Sequence, residues 1–323
     1  MKILITGVAG FIGSNLAEAL LAKGHDVYGI DNLSYGELRN IEPFLTHEKF
    51  HFHSGDICNP FVIKEYKVDL VVHLASQKIP RYSSAFRTLD ENQIMLRNIV
   101  AKCLADKSKL LFASTSDVYG KNKQVPFTEE SDLVMGPPTV KRWAYAISKM
   151  YGEQYILANH DEFDLKYTIV RFFGSYGPNQ NLTWWGGPQS LFISRSARQE
   201  ALEIHGDGLQ TRTFTYIKDT VAALVLCIES EKSDNEIFNI ASDPSEEITI
   251  ADLGRLIWKL VNGDKIPPQL NMIPYSSFGK YEDVQRRVPS IDKLISFFGY
   301  KPRYTLADGL RETIEWQRKI EKW

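Results

Sequence analysis

The sequence predicts an α/β fold, a doubly wound parallel sheet carrying a smaller mixed α/β lobe. Three observations predict it. The first half of the chain alternates strand-like with helix-like stretches, the pattern of a parallel sheet covered by helices on both faces. The run Asp69-Leu70-Val71-Val72-His73-Leu74 is almost continuously apolar, as a central strand buried on both faces requires. The chain also opens on an apolar strand that meets glycines at positions 7, 10 and 13 and then a helical repeat.

Taken in order, Ile3-Leu4-Ile5 leads into Gly7-Val8-Ala9-Gly10-Phe11-Ile12-Gly13, after which Leu16, Ala17 and Ala19-Leu20-Leu21 recur at helical spacing. Such a turn brings bare backbone N–H groups against a pyrophosphate at a helix N-terminus. Gly7 permits the turn, Gly10 removes a Cβ where phosphates approach, and Gly13 lets the helix pack close on the strand. The next apolar run, Val27-Tyr28-Gly29-Ile30, ends in Asp31 and the turn residue Asn32. A carboxylate there accepts the adenosine ribose hydroxyls and repels a 2′-phosphate, so the cofactor expected is NAD. The spacing is G-x-x-G-x-x-G, one departure from the standard G-x-G-x-x-G fingerprint.

Strands are expected at 2–6, 26–30, 50–53, 69–74, 109–114 and 166–172, with helices at 11–23, 59–66, 91–106 and 143–160. After residue 174 the order loosens, through Pro178 and Trp184-Trp185-Gly186-Gly187-Pro188, into short interleaved elements. The reading is a Rossmann-type NAD-binding domain over 1–174 and a mainly substrate-binding lobe over 175–323, some segments of which return to the first domain. Ligands of such sheets lie beyond the carboxyl ends of the strands.

Tyr145 and Lys149 are four residues apart in an amphipathic stretch, which places them on one helical face. Bringing a tyrosine from its usual pKa of about 10 to neutrality requires roughly 4 kcal/mol. An ammonium ~5 Å away supplies on the order of 3 kcal/mol at an effective dielectric near 20. The pair therefore makes a general base once the positive ring of oxidised cofactor is added. The strand at 109–114 runs into Thr115-Ser116-Asp117, whose hydroxyls reach the same edge and can hold a sugar oxygen.

Together these motifs resemble the extended short-chain dehydrogenase/reductase family, in its nucleotide-sugar epimerase/dehydratase branch. The resemblance runs through Asp56-Ile57, His73-Leu74-Ala75-Ser76, Arg171-Phe172-Phe173-Gly174 and Gly206 to Tyr216, nearly the whole chain. It implies Thr115, Tyr145 and Lys149 as the catalytic set, with Asp56, Ile57, Leu74, Ala75 and Lys78 on the cofactor. It implies Ser116, Asp117, Gln189, Arg212 and Arg287 on a nucleotide-diphosphate sugar, UDP-linked, the arginines gripping the diphosphate. A 4,6-dehydratase carries Asp-Glu after the threonine, which Ser116-Asp117 lacks. Glucuronate decarboxylases carry Thr-Ser-Glu, and Arg142-Trp143-x-Tyr145 and Tyr281 to Ile291 also look like that group. Lys78 matches the 4-epimerases, whereas Gly174 stands where they commonly have asparagine and Thr213 where aspartate is common. The expected activity is 4-epimerisation of a UDP-hexose or UDP-hexuronate through a 4-keto intermediate, with UDP-glucuronate decarboxylation as the alternative. Dehydration, or a purely NAD-binding regulatory role, ranks below both, the latter because Thr115, Tyr145 and Lys149 are all retained.

A net charge of -2 gives no attraction for nucleic acid or an anionic membrane. No apolar run approaches a membrane span, and the N-terminus reads as a strand and not a leader. Cys58, Cys103 and Cys227 are widely spaced and the histidines form no ligand pattern, so no metal is expected and the cytoplasm is the expected setting. The helices at 91–106 and 143–160 carry apolar residues on more than one face, among them Ile94, Leu96, Ile99, Val100, Met150, Tyr151 and Ile156. The surplus predicts a homodimer through an isologous contact, as relatives of this kind form.

The cofactor reading has a direct check. Asp31→Ala should narrow a preference for NAD over NADP in calorimetric titrations, and tighter NADP binding by the unaltered protein would overturn it.

Overall fold

A computed structural model of the chain describes residues 1–78 and 84–323. The first half runs β1 (Lys2–Thr6), α1 (Phe11–Ala22), β2 (Asp26–Asp31), β3 (Phe50–Ser54), α2 (Phe61–Lys64), β4 (Leu70–His73), α3 (Ala85–Asp106), β5 (Lys109–Thr115), α4 (Trp143–Phe163) and β6 (Tyr167–Phe172). All six expected strands are present, each within one residue of its expected ends. Helix α3 starts six residues before the expected 91, because Ser84 caps it by accepting the Arg87 amide (3.3 Å). Its first turns expose Phe86 and bury Thr88, so no apolar period marks them.

The second half adds β7 (Ser175–Tyr176), α5 (Pro188–Ala197), β8 (Leu202–His205), β9 (Thr211–Arg212), β10 (Thr215–Tyr216), α6 (Ile217–Glu229) and β11 (Glu236–Ile240). It closes with β12 (Ile248–Thr249), α7 (Ile250–Asn262), β13 (Leu270–Ile273), β14 (Arg286–Arg287), α8 (Asp292–Phe298) and α9 (Leu306–Glu321). The main sheet is seven-stranded and parallel, in the order β11-β6-β5-β4-β1-β2-β3. Strand β4 is its middle strand, and all four of its residues are buried.

Alternate strand residues feed two separate cores. Ile3, Ile5, Val72, Leu111 and Val170 pack with Leu16, Ala17 and Leu20 of α1 and with Leu224 of α6. Leu4, Val71, Leu110, Phe112 and Ile169 pack with Leu96, Ile99 and Val100 of α3 and Ile156 of α4. This period-two split is what covering a sheet on both faces demands. From β1 the chain moves one way to β2 and β3, then returns to lay β4, β5 and β6 on the other side. The direction of winding reverses between β1 and β4, and a crevice opens beyond their carboxyl ends.

Candidate active site

The carboxyl ends of β1, β2, β4 and β5 open onto a cleft of about 560 Å³. It adjoins a second chamber of about 260 Å³ reaching towards β8 and β9, and Asp117, Arg142, Tyr281 and Arg287 line both. The floor of the first is nearly bare backbone. Gly7 has φ 74°, and a Cβ on it would lie 3.0 Å from the Ala75 amide nitrogen. On Gly13 a Cβ would lie 2.2 Å from the Gly7 carbonyl oxygen. Gly10 caps α1 without a side chain, and the first amide of the helix bonded to the turn is that of Ser14, to Gly10 (3.0 Å). Phe11, Ile12 and Gly13, whose amides are the orphan donors of the helix start, line the cleft. A side-chain-free positive helix end of this kind fits a dinucleotide pyrophosphate.

Asp31 ends β2 and is buried, its carboxylate accepting the amides of Ala9 (3.0 Å) and Leu33 (2.8 Å). Burial raises its pKa and those two amides oppose the rise. Two of about four acceptor positions are thereby used, and the others suit ribose hydroxyls. Asp56 accepts the Cys58 amide (2.8 Å) and the Asn32 side chain (3.2 Å), which ties Asn32, Asp56 and Ile57 into one wall. Leu74, Ala75 and Lys78 continue the lining from the end of β4.

Thr115 ends β5, and its hydroxyl caps the following turn by accepting the Asp117 amide (3.2 Å). Helix α4 presents Tyr145 and Lys149 to the same cleft. The Lys149 ammonium donates to the Ala113 carbonyl (2.8 Å) and sits 4.8 Å from the Phe112 ring centroid and 5.9 Å from that of Tyr145. From the i, i+4 spacing alone, Lys149 should lower Tyr145. In the chain itself burial, joined by the Asp117 carboxylate, raises Tyr145 above its ordinary value, and hydrogen bonds with Ser76 and Thr115 oppose the rise. Burial also lowers Lys149 to about 7, against the pull of Glu153. The ammonium is spent on the Ala113 carbonyl, so the phenol stays neutral until further positive charge enters the cleft.

Beyond Tyr145 lies an alternating ion cluster. Asp117 Oδ1 accepts Arg287 (2.5 Å) and Arg142 (3.1 Å), and Asp283 Oδ1 accepts Arg142 (2.9 Å) and Arg212 (3.0 Å). Tyr275 donates to Asp283 (2.9 Å), and Tyr281 accepts from Arg142 (2.9 Å). Burial alone would raise Asp117, yet Arg287, Arg142 and Arg212 hold it below the ordinary carboxylate value. For Asp283 the same contest, against Arg212 and Arg142, ends at about 2. Both carboxylates are therefore anionic at neutral pH. Three guanidinium groups against two carboxylates leave one positive charge for an anionic ligand.

The cleft gathers the residues singled out in the sequence. Gly7, Gly10, Phe11, Ile12, Gly13, Asp31, Asn32, Asp56, Ile57, Leu74, Ala75, Lys78, Thr115, Ser116, Asp117, Tyr145, Lys149, Gln189 and Arg287 line it. Arg212 lines the second chamber instead. Gly174 has φ 47°, and a Cβ on it would meet the Phe214 ring at 3.0 Å, so any side chain there would press on that ring. Arg142 and Asp283 were not singled out as ligand-side residues. Arg142 lies three residues before Tyr145, so helical spacing could have placed it on the tyrosine face. Among the described residues no group of His, Cys, Asp and Glu could hold a metal ion, and no helix is long and apolar enough to cross a membrane.

Residues 3–241 match the family model described as the NAD dependent epimerase/dehydratase family. A UDP-N-acetyl-alpha-D-glucosaminuronate decarboxylase from Bacillus cytotoxicus is 33% identical over 99% of this chain and 98% of its own length. Among solved structures, the UDP-glucose 4-epimerase of Thermotoga maritima, with UDP-glucose, superposes with a TM-score of 0.87 at 30% identity, covering 99% of this chain and 100% of that one. The UDP-glucuronic acid 4-epimerase of Bacillus cereus, with a 4-deoxy-4-fluoro substrate analogue and NAD, gives 0.87 at 27% identity and the same coverage.

Removing the phenol tests the base. Tyr145→Phe should cut turnover by at least about 10²-fold, the lower range for a general base, while calorimetry finds NAD binding retained. Turnover near that of the unaltered protein would remove Tyr145 from the role.

Proposed function

The chain belongs to the NAD-dependent epimerase/dehydratase family, and we propose that it oxidises C4 of a UDP-linked hexuronate and releases the sugar carboxyl group as CO₂. The observation that carries the proposal is the meeting at Asp117 of Arg142 (3.1 Å) and Arg287 (2.5 Å), from two stretches far apart in sequence. Those are the stretches whose sequence resembles glucuronate decarboxylases. The cluster's surplus positive charge suits an anionic sugar nucleotide. The Bacillus cytotoxicus relative is named for decarboxylating a UDP-linked hexuronate, and the Bacillus cereus structure holds an analogue of another.

NAD, when bound, supplies a two-electron oxidant that is regenerated within the turnover, and its positive ring favours the phenolate. Tyr145 then takes the C4 hydroxyl proton, while Thr115 hydrogen-bonds the same oxygen. Lys149 holds its charge beside the phenol and fixes the tyrosine's turn of α4. With C4 a ketone, the C5 carboxylate is that of a β-keto acid. The bond from C5 to the carboxyl carbon breaks, its electron pair moves into the C4 oxygen as an enolate, and CO₂ departs. Thr115 and the protonated Tyr145 steady that oxygen, C5 takes a proton from water, and the C4 ketone is reduced again as Tyr145 returns its proton.

4-Epimerisation shares the first step and remains the second reading. Asp117 favours it: it is one methylene, about 1.3 Å, shorter than the glutamate of the decarboxylases, and misplacement on that scale can cost about 10²-fold. Supplying UDP-glucuronate and UDP-glucose separately decides between them. Loss of one CO₂ from the first, with the second untouched, is the expected result. A product of unchanged mass that reverts to substrate would make the epimerase reading correct.

A further inference from the structure

One turn beyond Lys149 on α4 stands Glu153, a carboxylate that none of these steps uses. It is 3% exposed. Arg171 of β6, 4% exposed, grips it with both arms, Nε to Oε1 at 3.0 Å and Nη2 to Oε2 at 2.7 Å. Ser114 of β5 donates its hydroxyl to the same carboxylate. Consecutive residues of β5 thus receive consecutive turns of α4. Ala113 accepts from Lys149, Ser114 donates to Glu153, and the next residue is Thr115. Arg171 is anchored in turn, donating to the Tyr119 hydroxyl (3.0 Å) and the Glu129 carbonyl (2.8 Å).

Lys149 is buried, and among the described residues no carboxylate forms an ion pair with it. The groups facing it are few. From β4 comes His73, buried and held neutral by burial and by Lys149 itself, its Nδ1 against the Thr6 hydroxyl (2.8 Å). From β5 come the Phe112 ring and the Ala113 carbonyl. From α4 come Tyr145 and Glu153, and Arg171 of β6 stands behind the Glu153 carboxylate. Of these, Glu153 alone carries a carboxyl group.

We propose that Glu153 is a positioning residue for Lys149, seating that turn of α4 on β5 and placing a carboxylate one helical turn from the buried ammonium. Arg171 gives the carboxylate a guanidinium partner in the interior. A buried pair serving only to join α4 to β6 would use the same bonds, and such pairs are weak evidence of stability alone. The electrostatic role differs in what it does to a third group. Removing the Glu153 charge must make Lys149 easier to deprotonate, so the lysine loses its proton at lower pH.

The test reads Lys149 directly. Protein carrying ¹³C-labelled lysine is titrated by NMR, with the Lys149 Cε resonance assigned from Lys149→Arg. The unaltered protein should titrate near the value of about 7 that burial gives the lysine. In Glu153→Gln the midpoint should fall by about one pH unit or more, the low end for loss of a nearby opposite charge. Glu153→Gln leaves Arg171 without its partner, so Glu153→Gln/Arg171→Gln serves if the single variant does not fold; because it also removes the arginine's opposing charge, its midpoint should fall in the same direction but by less. The alkaline limb of kcat/KM, read on the same folded variant, should move down with the midpoint. An unmoved midpoint overturns the proposal, as does lowered activity with an unmoved limb. The catalytic part of the proposal rests on the reaction assigned above. The NMR midpoint does not depend on which sugar is turned over, so failure of that reaction leaves this result readable.

Discussion

The docking of α4 against the end of β5 governs the catalytic end of the molecule. Lys149 reaches the Ala113 carbonyl and Ser114 reaches Glu153, which fixes the helix in both rotation and height relative to the strand that ends in Thr115. Tyr145 is then one turn nearer the cleft than Lys149, in the company of the Thr115 hydroxyl. The parallel sheet supplies the rest of the setting. Because every strand of it runs the same way, the Gly7 turn, Asp31, the Ser76 loop and Thr115 all emerge at one edge.

Burial at that edge has opposite consequences for its ionisable groups. Tyr145 and Lys149 are both pushed towards their neutral forms, the first upward and the second down to about 7. Asp117 and Asp283 are also drawn out of solvent, though less completely, and remain charged because arginines surround them. The cleft therefore has one side that stays ionised, at Asp117 and Asp283, and one pressed towards neutrality, at Tyr145 and Lys149. Charge brought by ligands has most effect on the second. Lys149, at about 7, lies within reach of small shifts, whereas the Arg142–Asp117–Arg287 chain holds its ionisation throughout ordinary pH.

Much of this was legible in the sequence, for identifiable reasons. Buried parallel strands are short apolar runs, so their bounds could be read almost to the residue, and β4 was recognisable as the middle strand from Leu70 to His73. The glycine turn and the Tyr145–Lys149 spacing are local patterns whose meaning does not depend on distant chain. The ion cluster is different. Asp117 meets Arg287 across 170 residues and Arg142 meets Asp283 across 141, and no local period encodes either meeting. The tyrosine's pKa direction was also beyond reach, since it depends on enclosure and on Asp117, neither visible in a four-residue spacing. At the start of α3 an exposed Phe86 and a buried Thr88 broke the apolar period and concealed six helical residues that the Ser84 cap fixes in the fold.

The central claim is that this cleft oxidises C4 of its sugar with Tyr145 as base. It is tested most directly by rapid mixing of NAD-loaded protein with UDP-glucuronate, unlabelled or deuterated at C4, while the absorbance of reduced nicotinamide is followed. The account predicts a transient rise that is slower with the deuterated sugar and lost in Tyr145→Phe. No rise, or a rise indifferent to the deuterium, would contradict it.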